Sequence, residues 1–242
     1  MSNPVENINN THTLQQFDGQ LQHLNELKLQ MAKLVVFQLD QSMQALHDGD
    51  LEMARKVVLR DQDVNQLEIL TDAEVIAILA RQCPVANDLR RVMATSKIAS
   101  ELEKIGEEIV IFAKVILKLF DPKSSDPNPD LLTDIVKIGT FVKLMLQNML
   151  FLLENEDVHL AYSLLKYDND CQLELQEGIK HQLGIVVQDA RVISRALDIM
   201  EIMKALEGCG DFCRNIAEYM IFMIEGQNVR HSEYLPNPRA SK

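Results

Sequence analysis

Apolar residues recur along this chain at intervals of three and four. Leu14, Phe17, Leu21, Leu24, Met31, Leu34, Val35, Leu39 and Leu46 form the first such stretch. Their spacing predicts one amphipathic helix of about 35 residues. The segment "HDGD" at 47–50 breaks it, with Gly49 as the C-terminal stop and Asp50 as the N-cap of the next helix. This second helix carries Ala54, Val57, Val58, Val64, Leu67, Leu70 and Val75 and ends near Cys83 and Pro84. A third carries Val85, Leu89, Val92, Met93, Ile98, Leu102, Ile105, Ile109, Phe112, Ile116 and Leu119. Then comes "DPKSSDPNP" at 121–129, which holds three of the seven prolines and is the strong linker signal of the chain. Three more helical patterns succeed it, from Asp130 to about Asn155, from near Asp157 to near Gly184, and from about Asp189 to Glu225. Residues 1–10 and 227–242 read as frayed polar tails.

Three helices, a linker and three helices suggest a duplicated unit. A shift of 107 positions lays Val35 on Val142, Leu39 on Leu146, Asp50 on Asp157, Ala54 on Ala161 and Asp61 on Asp168. For the third helix a shift of 104 lays Arg91 on Arg195, Leu102 on Leu206, Glu103 on Glu207, Gly106 on Gly210 and Glu107 on Asp211. The expected fold is all-α, two tandem pseudo-symmetric three-helix bundles. The first covers 11–120, the linker 121–129, the second 130–226 and a C-terminal tail 227–242.

Composition supports this reading and narrows the function. With 47% hydrophobic residues in 242 the chain can bury a sizeable core, and 5% aromatics with no Trp suit a helix bundle better than a β-sandwich. A net charge of −12 with no Lys/Arg run longer than two argues against nucleic acid and for cations or basic protein surfaces as partners. Residues 1–20 lack an apolar signal core, and the longest apolar runs are about five residues against the 18–20 or so that span a bilayer. A cytoplasmic protein with reduced thiols is therefore expected, and Cys83, Cys171, Cys209 and Cys213 are expected to be small core residues. The six histidines are scattered, Glu156-x-x-His159 has no matching partner, and no Gly-rich phosphate loop or nucleophile elbow occurs, so no enzyme is expected.

The candidate chemistry lies in paired carboxylates. Glu103 and Glu107 sit four apart, as do Glu207 and Asp211. Like charges at that spacing cost a few tenths of a kcal/mol in an isolated helix. The second helix of each unit adds Asp61 and Asp63, or Asp168 and Asp170, with Asn65 and Gln172 four residues beyond the first of each pair. Oxygen-only clusters suit Mg²⁺, Ca²⁺ or Mn²⁺, and bridging carboxylates also hold iron. Gly106 and Gly210 would let a neighbouring helix or an ion come close. The plainer alternative is a set of solvated acids on an exposed face, and the residues alone leave both open.

The segments "LEKIGE" (102–107) and "LEGCGD" (206–211) resemble the duplicated "LERIGD" signature of the PhoU family, bacterial accessory regulators of phosphate transport. The likeness extends through "FDGQLQHLNELKLQM" (17–31), "RDQDVNQLE" (60–68), "QCPVANDLRRV" (82–92) and "QNVRHS" (227–232). It implies two three-helix bundles related by pseudo-twofold symmetry and no enzymatic activity. It implies metal-ligand roles for Asp61, Glu103, Glu107, Asp168, Glu207 and Asp211, with Fe, Zn, Mn, Mg or Ca as the metal. It further implies negative regulation of phosphate uptake and of the phosphate-starvation response. Its expected partners are the ATPase of an ABC phosphate importer and a phosphate-sensor histidine kinase, with assembly as a homodimer and contact with the inner membrane only through partners. The alternative is a helical metal-binding protein for sensing or storage. This chain departs from the signature at Glu107, which replaces Asp, at Gly208, which replaces the basic residue, and at Asn65 and Gln172, which stand where acids are usual.

Overall fold

The computed structural model describes residues 4–121 and 129–230, with side chains described from Gln16 onward except in 129–131 and 167–171. Six long helices succeed one another: α1 (Pro4–Asp48), α2 (Leu51–Gln82), α3 (Ala86–Leu119), α4 (Pro129–Asn155), α5 (Val158–Gln188) and α6 (Ile193–Glu225). A single 3₁₀ turn, Ala190–Val192, precedes α6, and no strand occurs among the described residues.

The breaks have local causes. Gly49 takes a φ of 66°, a left-handed conformation that suits glycine, and stops α1. The Asp50 carboxylate then accepts from the backbone N–H groups of Glu52 and Met53 at 2.9 and 3.0 Å and caps α2. Asp157 repeats the device on His159 and Leu160 at the start of α5. Asp189 accepts from the Arg191 N–H and opens the 3₁₀ turn.

The structure departs from the sequence reading at several places. The helix that begins at Pro4 absorbs most of the expected N-terminal tail. Helix α5 continues past Gly184 to Gln188. A lone interior glycine costs about 1 kcal/mol relative to Ala, which tertiary packing outweighs. Val229 is buried, so the beginning of the expected C-terminal tail packs on the core. The remainder of that tail, 231–242, and the linker residues 122–128 lie outside the described residues. Cys209 and Cys213 are core thiols, but Cys83 is exposed, because it takes a left-handed φ of 47° as the C-cap of α2. The side chain of Cys171 lies outside the described residues. Run length also understated one helix: Leu132–Asn155 is long and apolar enough to cross a membrane, with a mean hydropathy of 1.4, and 44% of that window is buried inside the protein. Length and composition cannot separate a bundle's core helix from a membrane span.

The two bundles share one core. Met31, Val35 and Leu39 from α1, Leu102, Ile105 and Phe112 from α3, Met145 and Met149 from α4, and Ile202, Leu206 and Met220 from α6 belong to a single buried cluster. Helices α3 and α6 form the most extensive helix pair and run antiparallel. Asn215 donates to Glu101 at 3.0 Å near one end, and Lys118 reaches Glu201 at 3.4 Å near the other. Between them the Cys209 thiol meets the Ile105 carbonyl at 3.9 Å. These two residues are mates in the 104-residue repeat, so the pseudo-twofold axis passes beside them, next to Gly106 and Gly210.

Candidate functional site: an acidic seam between the second and third helices

Helix α2 lies along α3, and Gly106 faces it. A methyl group at Gly106 would sit 3.4 Å from Val64 Cγ1 and 3.6 Å from Asp61 Oδ1. These are ordinary van der Waals contacts, so a methyl group fits, while a larger side chain would meet Val64 and Asp61. The Asp61 carboxylate thus lies next to Gly106 on α3, beside the turn that carries Glu103 and Glu107.

The seam is electrostatically unbalanced. Burial pushes the Glu103 carboxyl up from 4.5 to about 7, with Glu107, then Glu68, then Asp61 adding to the rise and Lys104 opposing it. Burial likewise raises Glu68, helped by Asp72 and Glu107, and raises Glu108, helped by Glu107. Lys104 gives limited relief, since its ammonium is bonded to Glu101 at 3.1 Å. Asp61 accepts from the Asn65 amide at 3.4 Å through Oδ2, while Oδ1 is buried and has no hydrogen-bond partner among the described residues. The Asn65 carbonyl oxygen is in the same position. Buried acceptors left without donors cost free energy that water or a cation can return.

Of the expected ligands, Asp61, Glu103 and Glu107 share the seam of the first bundle, where Glu107 and Asp61 act electrostatically on Glu103, without meeting at one point. Asp63 points to solvent. Glu68 belongs to the seam and was not anticipated. Its place was readable, since Asp61, Glu68 and Asp72 recur seven and four apart on one face of α2. In the second bundle Glu207 is half-buried and Asp211 exposed on α6, and Gln172 is exposed on α5. The side chains of Asp168 and Asp170 lie outside the described residues. The Glu156-x-x-His159 pattern holds no ligand pair: Glu156 is engaged by Arg91, and His159 is exposed.

The fit to a metal is partial. Surplus negative charge and an orphaned oxygen suit a hard cation. Among the described residues, however, no three His, Cys, Asp or Glu side chains converge on one point. Binding in the first bundle would need the partly exposed Glu103 and the exposed Glu107 to change rotamer toward Asp61. Such an ion would supply charge neutralisation across the seam.

The tandem helical architecture, with a glycine between two acidic residues in each third helix, defines a class. The PhoU domain profile matches twice, at residues 29–116 and 135–220, and the chain belongs to the PhoU family. A Pseudomonas aeruginosa protein named phosphate-specific transport system accessory protein PhoU homolog is 34% identical over 220 residues, covering 91% of this chain and 90% of its own. The crystal structure of PhoU from Pseudomonas aeruginosa superposes with a TM-score of 0.82 at 33% identity, covering 87% of this chain and 100% of that one. The phosphate transport system regulatory protein PhoU from Streptococcus pneumoniae, at 24% identity and a TM-score of 0.78, shares the fold over 88% of this chain and 99% of its own.

Proposed function

We propose that this protein is a negative regulator of phosphate uptake and of the phosphate-starvation response. It acts in the cytoplasm as an adaptor, not an enzyme, joining the ATPase of an ABC phosphate importer to a sensor histidine kinase. The observation that carries the reading is similarity along nine-tenths of both chains to a protein named for the phosphate-specific transport system. The exposed surface is in keeping with an adaptor. Leu89 and Met93 at the start of α3 are exposed, and so are their repeat mates Ile193 and Leu197 at the start of α6. Paired apolar patches of this kind suit protein partners. A net charge of −12 opposes direct attraction to anionic lipid, which leaves membrane contact to those partners. Homodimer formation belongs to the same proposal and is checked by light scattering.

The test is a reporter driven by a phosphate-starvation promoter. Deleting the gene should leave the reporter on in abundant phosphate, and normal repression in the deletion strain would remove the regulatory reading. A Glu103→Lys/Glu207→Lys variant, confirmed to be soluble, should fail to restore repression if the acidic seams take part.

The second reading is metal binding as the primary role, favoured by the orphaned Asp61 oxygen. A divalent or ferric cation would be held by Asp61, Glu103 and Glu107, and by Asp168, Glu207 and Asp211. Calorimetry with Mn²⁺, Fe³⁺ and Zn²⁺ should show weaker binding to Glu103→Gln/Glu107→Gln than to the wild type. Equal binding to both would clear the first seam.

A further inference from the structure

A pocket of about 270 Å³ opens between α1 and the first turns of α3. Leu21 and Leu24 form its apolar side, while Asn25, Lys28, Arg91 and Thr95 bring polar groups to it. Lys28 is 1% exposed, and none of the described residues hydrogen-bonds its ammonium. Arg91 donates through Nη1 to Glu156 Oε1 and through Nη2 to Glu156 Oε2, the latter at 3.1 Å. Glu156 comes directly after α4 in a left-handed conformation with a φ of 53°. Lys28 and Arg91 thus lie beside Glu156, with Asp88 also within electrostatic reach of Arg91. Of the first three only Lys28 is fully buried, while Arg91 and Glu156 are partly exposed.

The fold does not demand this charge. The repeat mate of Lys28 is Ile135, fully buried, and the mate of Glu156 is Gly49. The same architecture thus closes in the second bundle with an aliphatic side chain where the first has an ammonium. A buried ammonium with unused donors destabilises a protein unless something pairs with it, and only the first bundle carries one at this position.

We infer that this pocket binds a small oxyanion of the phosphate class, inorganic phosphate or a phosphate monoester, between the Lys28 ammonium and the Arg91 guanidinium. Arginine's planar fork and lysine's point charge are the usual pair for such anions. A negative charge placed beside Lys28 offsets the cost of burying its ammonium. The apolar wall of Leu21 and Leu24 gives room for the organic part of an ester. Burial pushes the Lys28 ammonium down to about 8, with Glu156 opposing and Arg91 reinforcing the fall, so it is still mostly charged at neutral pH. The pocket carries this site independently of the regulatory reading.

The experiment is calorimetric titration of the purified full-length protein at pH 7 with inorganic phosphate, phenyl phosphate and acetate. Line broadening of the ³¹P signal provides a second measurement. The wild type should bind one of the two phosphates at millimolar concentration or below and acetate more weakly. Preference for inorganic phosphate or for the ester identifies the source. Lys28→Met should weaken binding by roughly tenfold or more, as expected for a lost charged hydrogen bond. Should that variant not fold, Arg91→Gln takes its place. Lys114→Gln, which removes an exposed lysine near the far end of α3, should bind as the wild type does. Absence of binding to both phosphates, or equal binding by the wild type and a folded Lys28→Met, would overturn the site and leave Lys28, Arg91 and Glu156 as a purely structural ion cluster.

Discussion

The two bundles have the same order of helices and share the Asp50 and Asp157 N-caps, but they differ in their polar interiors. The first buries Lys28 where the second buries Ile135. The second instead gathers Asp134, which accepts from the Gln182 amide at 2.6 Å and meets the His181 ring at 2.8 Å. At the position of Asp134 the first bundle has Leu27, buried in its core. One backbone plan therefore tolerates either a cation or a hydrocarbon at the same place. The positions where the halves differ mark chemistry added to the fold, while those where they agree mark the fold itself.

If that division is right, removing shared positions should do the most damage. Leu102→Ala and its mate Leu206→Ala each empty a fully buried site and should cost about 2–5 kcal/mol. Because both leucines belong to one core, urea unfolding monitored by circular dichroism should remain a single transition in each case. Two separate transitions would show that the bundles are energetically independent.

The next effect has the opposite sign. Lys28→Met should stabilise the protein at pH 7 by on the order of 2 kcal/mol, since Arg91 and Glu156 still pair with each other. The pH profile checks the cause. Lys28 sits near 8 in the folded chain against an ordinary 10.5. Between those values the unfolded chain holds a proton that the folded chain has released, so stability rises with pH across that window. Below about 8 the cost of the buried charge is fully present. The profile of Lys28→Met should lack this rise, as read from the urea midpoint at successive pH values.

Shared caps should behave alike. Asp50→Ala and Asp157→Ala each leave two helix-initial N–H groups without a side-chain acceptor. Each should lose about 1 kcal/mol by thermal unfolding.

The smallest effect concerns the acidic seam. Glu103 lies near 7 in the folded chain against 4.5 ordinarily. Its contribution to stability is therefore fully present below about 4.5 and is lost as pH rises through 7. Solvent screening of a partly exposed group keeps the change to about 1 kcal/mol or less. Glu103→Gln should flatten the profile and gain that amount at pH 8. A cation bound in the seam would reverse the wild-type trend, so the same titration with added Mn²⁺ bears on the metal reading.

Local rules explain why much of this was legible in the sequence. Helix boundaries at Gly49, Asp50 and Asp157 arise from φ preferences and capping, which act within four residues. That Asp61 would lie along the same seam as Glu103 and Glu107 was implied by the repeat, but their failure to meet at one point was not. Lys28 was hidden for a physical reason: a lysine between Leu24 and Met31 looks like the polar edge of an amphipathic helix, and only packing reveals that it faces inward. Its neighbour Arg91 comes from α3, and its counter-charge Glu156 lies 65 positions beyond that arginine. No periodicity connects the three. Glu156 was further disguised by its left-handed backbone, a conformation for which the sequence offered no glycine. Val229 was missed because a single valine in a polar tail carries no pattern.

The meeting of Ile105 with Cys209 has a consequence for how such a molecule can change. In a true homodimer of half-length chains, residues on the twofold axis face their own copies, and every substitution is made twice. A charge introduced at the position of Lys28 would then appear in both halves, and so would the strain of a non-glycine residue at the position of Glu156. Fusing the halves into one polypeptide lifts that constraint. The axis still organises the core, but each side can be altered once. Both the lysine pocket and the Asp134–His181 cluster are asymmetries of this kind, possible only because the symmetry here is held within a single chain.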